Sequence, residues 1–364
     1  MDIVRFAPRG NDSFMEAVMT DVNNYFKAND LSPYANREMY IKSAAMILLY
    51  IVPYIFIISG IGAVSMWLFY GLWIFMGLGI VGIGTSVMHD ANHGAYSPNK
   101  MVNKIIGHTL EVIGGYSVNW KIQHNVLHHT YTNVAGLDDD INSTVLLRFS
   151  PQQPRYWYHK YQHIYAWFFY MILTLFWMTA KDYIKAFQYK RQGLLVKEKV
   201  SLSKALFRIT IYKIFYCAYI LMLPMLFSGL PWYHVVFGFL VMHVTAGLCL
   251  SMIFQPAHVV GTSPFAPHVV EDGTKRMQET WAIHEVVNTT DFAQGSRFLT
   301  WFIGGLNFQI EHHLFSNICH VHYPKLAPIV RKATAEYGIP YNVKKTFYGA
   351  IAEHLRMLKK LGRE

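Results

Sequence analysis

The chain has 364 residues, of which 53% are hydrophobic, 16% aromatic and only 15% charged. An ordinary soluble core of this length needs less apolar surface, so composition argues against a soluble protein and for one that gives its excess to a bilayer. The formal charge of +10 does not signal nucleic acid, because the basic residues form neither the stripe nor the arm that a phosphate backbone requires.

In chain order, the first 41 residues place Ser13 and Glu16 at capping-box spacing and Phe14, Val18, Val22 and Phe26 on one side. This predicts an amphipathic helix, expected to lie on the membrane surface. From Ala44 to Met88 there is no Asp, Glu, Lys or Arg, room for two helical crossings at about 1.5 Å per residue. Spans are expected at 43–60 and 64–88, with Gly60 and Gly62 at the hairpin tip. The apolar run 164–180 sits at the bottom of the spanning range, and is expected to be re-entrant or interfacial. A second uncharged stretch, Ile214 to Val270, divides near Ser228, Gly229 and Pro231 into spans at 214–228 and 233–254. At the C-terminal end Phe347, Ile351, Leu355 and Leu358 oppose Lys344, Lys345, Arg356, Lys359 and Lys360, a pattern for an interfacial helix or a solubilising tail.

Neither hairpin tip carries Lys or Arg, so the positive-inside rule puts both termini and the central region in the cytoplasm. No secretory signal is visible ahead of the first apolar run. Cys217, Cys249 and Cys319 are isolated and read as packing thiols. The expected fold is all-α: one domain over 1–364, with four transmembrane helices in two hairpins, an interfacial or re-entrant helix and a cytoplasmic helical cap.

The chain has 18 histidines, and seven fall in three tight groups. His89-Asp90-Ala91-Asn92-His93 puts two imidazoles on one helix face. In His124-Asn125-Val126-Leu127-His128-His129, His124 and His128 share a face of an α-helix while His129 points away from them. Gln309-Ile310-Glu311-His312-His313 repeats the doublet. Seven imidazoles exceed what one tetrahedral zinc uses, so a dinuclear site is inferred. No Glu has a His three residues later, which argues against a carboxylate-bridged bundle site. If the groups share one site, an even number of crossings must separate His129 from His312. The two later spans satisfy that parity, and a crossing by 164–180 would break it.

HDANH, HNVLHH and QIEHH, placed after the second span, before the third and after the fourth, resemble the three histidine boxes of membrane fatty-acid desaturases over nearly the whole chain. Gln309 in place of a first histidine, within Gly305-Leu306-Asn307-Phe308-Gln309, resembles the front-end acyl desaturases, which act on the carboxyl side of an existing double bond. The resemblance implies two non-haem iron ions held by His89, His93, His124, His128, His129, His312 and His313, with O2 as co-substrate. It implies an eighth ligand from the end of the fourth span, where Gln255-Pro256-Ala257-His258 offers His258, with His284 as the alternative. Gln309 is expected at or just behind the metals. Asp90, Asn133, Asp138, Asp139, Asp140, Asn307 and Glu311 are near enough in sequence to receive the second ring N–H of a ligand, although 138–140 reads equally well as a solvated turn.

Ser316 departs from the proline many relatives have after Leu-Phe. The His-Pro-Gly-Gly haem motif of relatives fused to cytochrome b5 is absent, so a separate carrier of ferredoxin or cytochrome b5 type is expected to bring electrons. The implied substrate is an acyl-lipid or fatty acyl-CoA. His108, His159, His163, His234, His243, His268, His320, His322 and His354 read as structural. A lipid hydroxylase would share these clusters. A divalent-metal transporter would need ligands at mid-membrane, where only His243 lies. A haem carrier would not use adjacent histidines on one helix.

Overall fold

The uncharged stretches fold as long helices. In the computed structural model, which describes residues 4–7, 13–142, 145–262, 269–271 and 274–364, four helices are long and apolar enough to cross a membrane: Arg37–Ile58, Met66–His93, Leu202–Phe227 and Trp232–His258. Gly60, at φ 78°, and Gly229, at φ 73°, turn the two hairpins. The apolar segment between the hairpins forms a helix pair, Trp157–Met171 and Leu173–Arg191, bent by 56°. His268 lies outside the described residues.

The third span begins at Leu202 rather than Ile214, so it is not the short span that counting uncharged residues predicts. Lys213 ended that count. Its ammonium is buried and neutralised, 2.7 Å from Asp182 Oδ2, and it donates to Gly114 O at 3.0 Å and Trp177 O at 3.1 Å. A charge so compensated is tolerated within an apolar helix.

The chain forms two compact units interleaved in sequence. One, the span unit, comprises Arg37–Ile122 and Trp167–Met252. Small residues let its helices approach closely: a Cβ on Gly79 would lie 2.8 Å from Tyr50 N, and one on Gly77 would lie 2.7 Å from Met242 O.

The other, the histidine-rich unit, comprises Met1–Asn36, Gln123–Ala166 and Ile253–Glu364. Its core corrects the reading of the N-terminal helix, Ser13–Ala28. Phe14, Val18, Val22 and Phe26 are buried against Ala282, Val286, Ile310, Leu314, Phe315 and Tyr323, not laid on a membrane surface. An apolar stripe requires a partner but does not say which. The C-terminal helix, Phe347–Leu361, is likewise docked on protein. It buries Ala350, His354, Leu358 and Leu361, and the side chains of Gln162 and Arg148 donate to the carbonyls of Leu358 and Leu361 in its last turn. Strand structure among the described residues is slight: Val269–Glu271 pairs antiparallel with Thr274–Arg276, and Asp291–Phe292 pairs parallel with Val343–Lys344.

Candidate metal centre

The first cluster closes the second span. A π-helical turn, Ile83–Val87, precedes the helix Met88–His93, and Gly94 at φ 79° ends it. His89 and His93 have ring centroids 4.7 Å apart, each with its ring near Trp120, at 5.6 Å and 5.5 Å. Asp90 Oδ1 lies 3.5 Å from His89 Nδ1. These residues belong to the span unit.

The second cluster does not have the α-helical geometry expected of it. Ile122–His128 is a π-helix, and the His129 amide bonds His124 O at 3.0 Å. The wider turn brings His129 alongside His124, which an α-helical count would have kept apart. Their Nε2 atoms are 3.3 Å apart. The turn that follows is no solvated loop: Asp138 and Asp139 are buried. Asp138 Oδ1 takes His128 Nδ1 at 3.0 Å, and Asp140 Oδ2 takes His124 Nδ1 at 3.1 Å. Burial alone would lower the His128 pKa, but the carboxylates of Asp138 and Asp140 outweigh it and raise it to about 9.

The third cluster lies on the short helix Gln309–Leu314, whose residues are all buried. Asp291 Oδ1 accepts the Ile310 amide at its start, 2.9 Å away. His312 Nε2 meets His129 Nε2 at 3.0 Å, and His312 Nδ1 lies 3.3 Å from Tyr323 OH. His313 Nδ1 is 2.7 Å from Glu285 Oε2. His258, at the end of the fourth span, stands with His128 and His313 in a triangle of ring centroids 4.6, 4.9 and 5.0 Å on a side.

Within the histidine-rich unit, therefore, His124, His128, His129, His258, His312 and His313 converge. Two triads, His128–His258–His313 and His129–His312–His313, each offer nitrogen atoms within 4.8 Å of one another. The chemistry of these atoms suits a cation. The Nδ1 atoms of His124 and His128 are held by carboxylates, so once a cation displaces the second proton, Nε2 is the lone-pair atom of each ring. His128 Nε2 and both ring nitrogens of His258 are buried without a hydrogen-bond partner, an arrangement that is costly unless something positive binds there. Neutral imidazole in this number fits iron and other first-row divalent metals.

His284 is engaged elsewhere. Its Nε2 donates to Thr132 O at 2.7 Å, Asn288 Nδ2 lies 3.2 Å from its Nδ1, and burial lowers its pKa to about 4. Asn133 donates to the carbonyls of His258 and Asn288, at 2.9 and 3.2 Å. Gln309 Nε2 is anchored on Leu306 O at 2.7 Å. Asn307 and Glu311 point away from the imidazoles: Asn307 bonds Thr300 Oγ1 at 3.0 Å, while Glu311 and Asp291 share the Tyr341 hydroxyl at 2.9 and 2.8 Å. Burial raises the Asp291 pKa to about 6 and holds that of Glu311 well above the ordinary carboxylate range.

Of the histidines read as structural, His243 binds Tyr216 OH and Thr174 Oγ1, His354 binds Val259 O, and His322 binds Tyr34 O. Two residues went unnoticed in the sequence, Glu285 and Thr132. Glu285 leaves a trace there in the spacing of Trp281, His284, Glu285 and Asn288 on one side of a helix; Thr132 lies just past the second cluster.

Fold and site together define a polytopic membrane protein with a histidine-built centre able to hold metal. The fatty acid desaturase family profile matches residues 65–345. The chain is 35% identical to the sn-1 linoleoyl-lipid 6-desaturase of Arthrospira platensis, over 96% of this chain and 92% of that protein. It is also 35% identical to the acyl-lipid (8-3)-desaturase of Physcomitrium patens, over 99% of this chain and 74% of that protein. With the sn-1 linoleoyl-lipid 6-desaturase of Synechocystis the identity is 32%, over 96% of each chain. The chain belongs to the fatty acid desaturase family.

Proposed function

We propose that this fatty-acyl desaturase works on acyl chains esterified in membrane lipid, setting the new double bond on the carboxyl side of one already present. The names of the relatives, which specify lipid-linked chains and positions near the carboxyl end, support this reading, as does Gln309 in the third cluster. The observation that carries its metal-dependent chemistry is the meeting of imidazole Nε2 atoms, with His129 Nε2 at 3.0 Å from His312 Nε2 and 3.3 Å from His124 Nε2.

We assign His124, His128, His129, His258, His312 and His313 as ligands of two non-haem iron ions, and His89 and His93 as ligands by their sequence motif. Iron bound there supplies activation of O2 and the oxidising power to remove two hydrogens from neighbouring methylenes. The protein's own part is geometric and electrostatic. Asp138 and Asp140 take the Nδ1–H of His128 and His124, fixing which nitrogen faces the metal. Apolar walls such as half-buried Phe254, with its ring 5.2 Å from His128 and 4.9 Å from His258, keep water from the reacting carbons. A separate carrier of ferredoxin or cytochrome b5 type delivers electrons, and the positive-inside rule places the centre and both termini in the cytoplasm.

Expression in a host fed a defined polyunsaturated acid tests the reading. A new double bond nearer the carboxyl end is expected in the lipid fraction by mass spectrometry, and His128→Ala is expected to abolish it. A hydroxylated product, or an unchanged acyl profile from folded, iron-loaded protein with a reductant supplied, would contradict it.

A further inference from the structure

The helix Trp281–Asn288 turns a polar face and an apolar face in different directions. Ala282 and Val286 enter the core beside the N-terminal helix. Trp281, His284, Glu285 and Asn288, at helical i, i+3, i+4 and i+7 spacing, form a strap over the end of the second cluster. Trp281 Nε1 donates to His129 O at 3.0 Å, and His284 Nε2 to Thr132 O at 2.7 Å. Asn288 O receives the Asn133 amide at 3.2 Å.

Glu285 is the member of the strap that reaches the third cluster. It is fully buried. Its Oε2 lies 2.7 Å from His313 Nδ1 and 2.7 Å from Thr132 Oγ1, and that hydroxyl is 3.1 Å from the same His313 nitrogen. This imidazole and this hydroxyl are groups within hydrogen-bond distance of Oε2. A carboxylate on the far nitrogen of a metal-binding imidazole fixes the ring's tautomer and rotation and raises its basicity.

We propose that Glu285 is the positioning residue for His313: it accepts the Nδ1–H, turns Nε2 toward His128 and His258, and with Thr132 ties the third cluster to the second. The proposal rests on the reading of these imidazoles as metal ligands. Its chemistry parallels that of Asp138 on His128, but there the two residues are ten apart in one segment, whereas Glu285 and His313 stand on two different helices.

Purified protein in detergent, titrated with Fe(II) and with Co(II) against a chromophoric chelator, tests this. Glu285→Ala is expected to weaken metal binding by roughly 10- to 100-fold and to shift the visible spectrum of the cobalt-loaded protein. Glu285→Gln, whose amide oxygen still accepts the Nδ1–H, is expected to fall between Glu285→Ala and wild type. Thr132→Val, which keeps the carboxylate but removes the hydroxyl that steadies it, is expected to weaken binding less than Glu285→Ala does. Wild-type affinity and spectrum in a folded Glu285→Ala protein would overturn the proposal, and if that variant does not fold, the same result in Thr132→Val would do so. Wild-type protein that binds neither metal would instead fail the ligand reading itself, which separates the two.

Discussion

Asn133 shows how far one backbone angle can serve a site. Its φ of 59° lies in the left-handed region, which asparagine and glycine enter at lower cost than other residues. In that pose its amide donates to the carbonyls of His258 and Asn288, while its own N–H is held by Asp138 Oδ2 at 2.8 Å. Asn133→Gly keeps the backbone and loses the side-chain bonds, a cost of about 1–2 kcal/mol. Asn133→Ala adds the left-handed penalty, roughly 1 kcal/mol more. Thermal unfolding in detergent is expected to rank wild type above Gly and Gly above Ala. Ala unfolding at or above the temperature of Gly would show that the angle is not what selects asparagine. At this scale the imidazoles were legible because a ligand's spacing is written along one helix. Glu285 was not, since its partner His313 lies in another segment, and a lone glutamate ahead of a valine pair carries no mark of burial.

Among the elements, the spans were legible wherever absence of charge and absence of water coincide. The third span departs from that rule because Lys213 is neutralised by Asp182 and by two carbonyls, Trp177 O among them at the start of a π-helical turn, Trp177–Lys181. Removing one partner strands the other. Lys213→Ala is expected to cost about 3–5 kcal/mol. Lys213→Met combined with Asp182→Asn is expected to restore most of that, because no uncompensated charge remains. Unfolding midpoints of single and double variants decide it: a double variant no more stable than the single one would mean the pair contributes through packing alone. The π-turn of the second cluster was illegible for a different reason. Its residues are ordinary helix formers, and the extra residue per turn is imposed by the contacts the imidazoles and Asp138 and Asp140 make after folding. The N-terminal helix was legible as a helix and misplaced as a neighbour, because Phe14, Val18, Val22 and Phe26 would look the same facing lipid or facing Ile310 and Leu314.

For the whole molecule, the chain passes repeatedly between two compact units. Residues 37–122 and 167–252 build the one with the membrane helices, and the stretches between and beyond them build the one with most of the imidazoles. Such interleaving follows from the positions of the histidine clusters, which stand at the ends of apolar runs. A long apolar helix leads into HDANH within the span unit, and another ends at His258, where the histidine-rich unit takes over. The account depends on these polar segments building a centre that takes up metal because buried imidazole lone pairs face one another. Metal analysis of the purified full chain, joined to Mössbauer spectroscopy of 57Fe-loaded protein, tests that most directly. The expected result is two iron ions per chain in nitrogen-rich, haem-free sites, lost together in His128→Ala. Protein that retains its fold and activity with no iron, or that holds a single zinc ion in the iron's place, would contradict it.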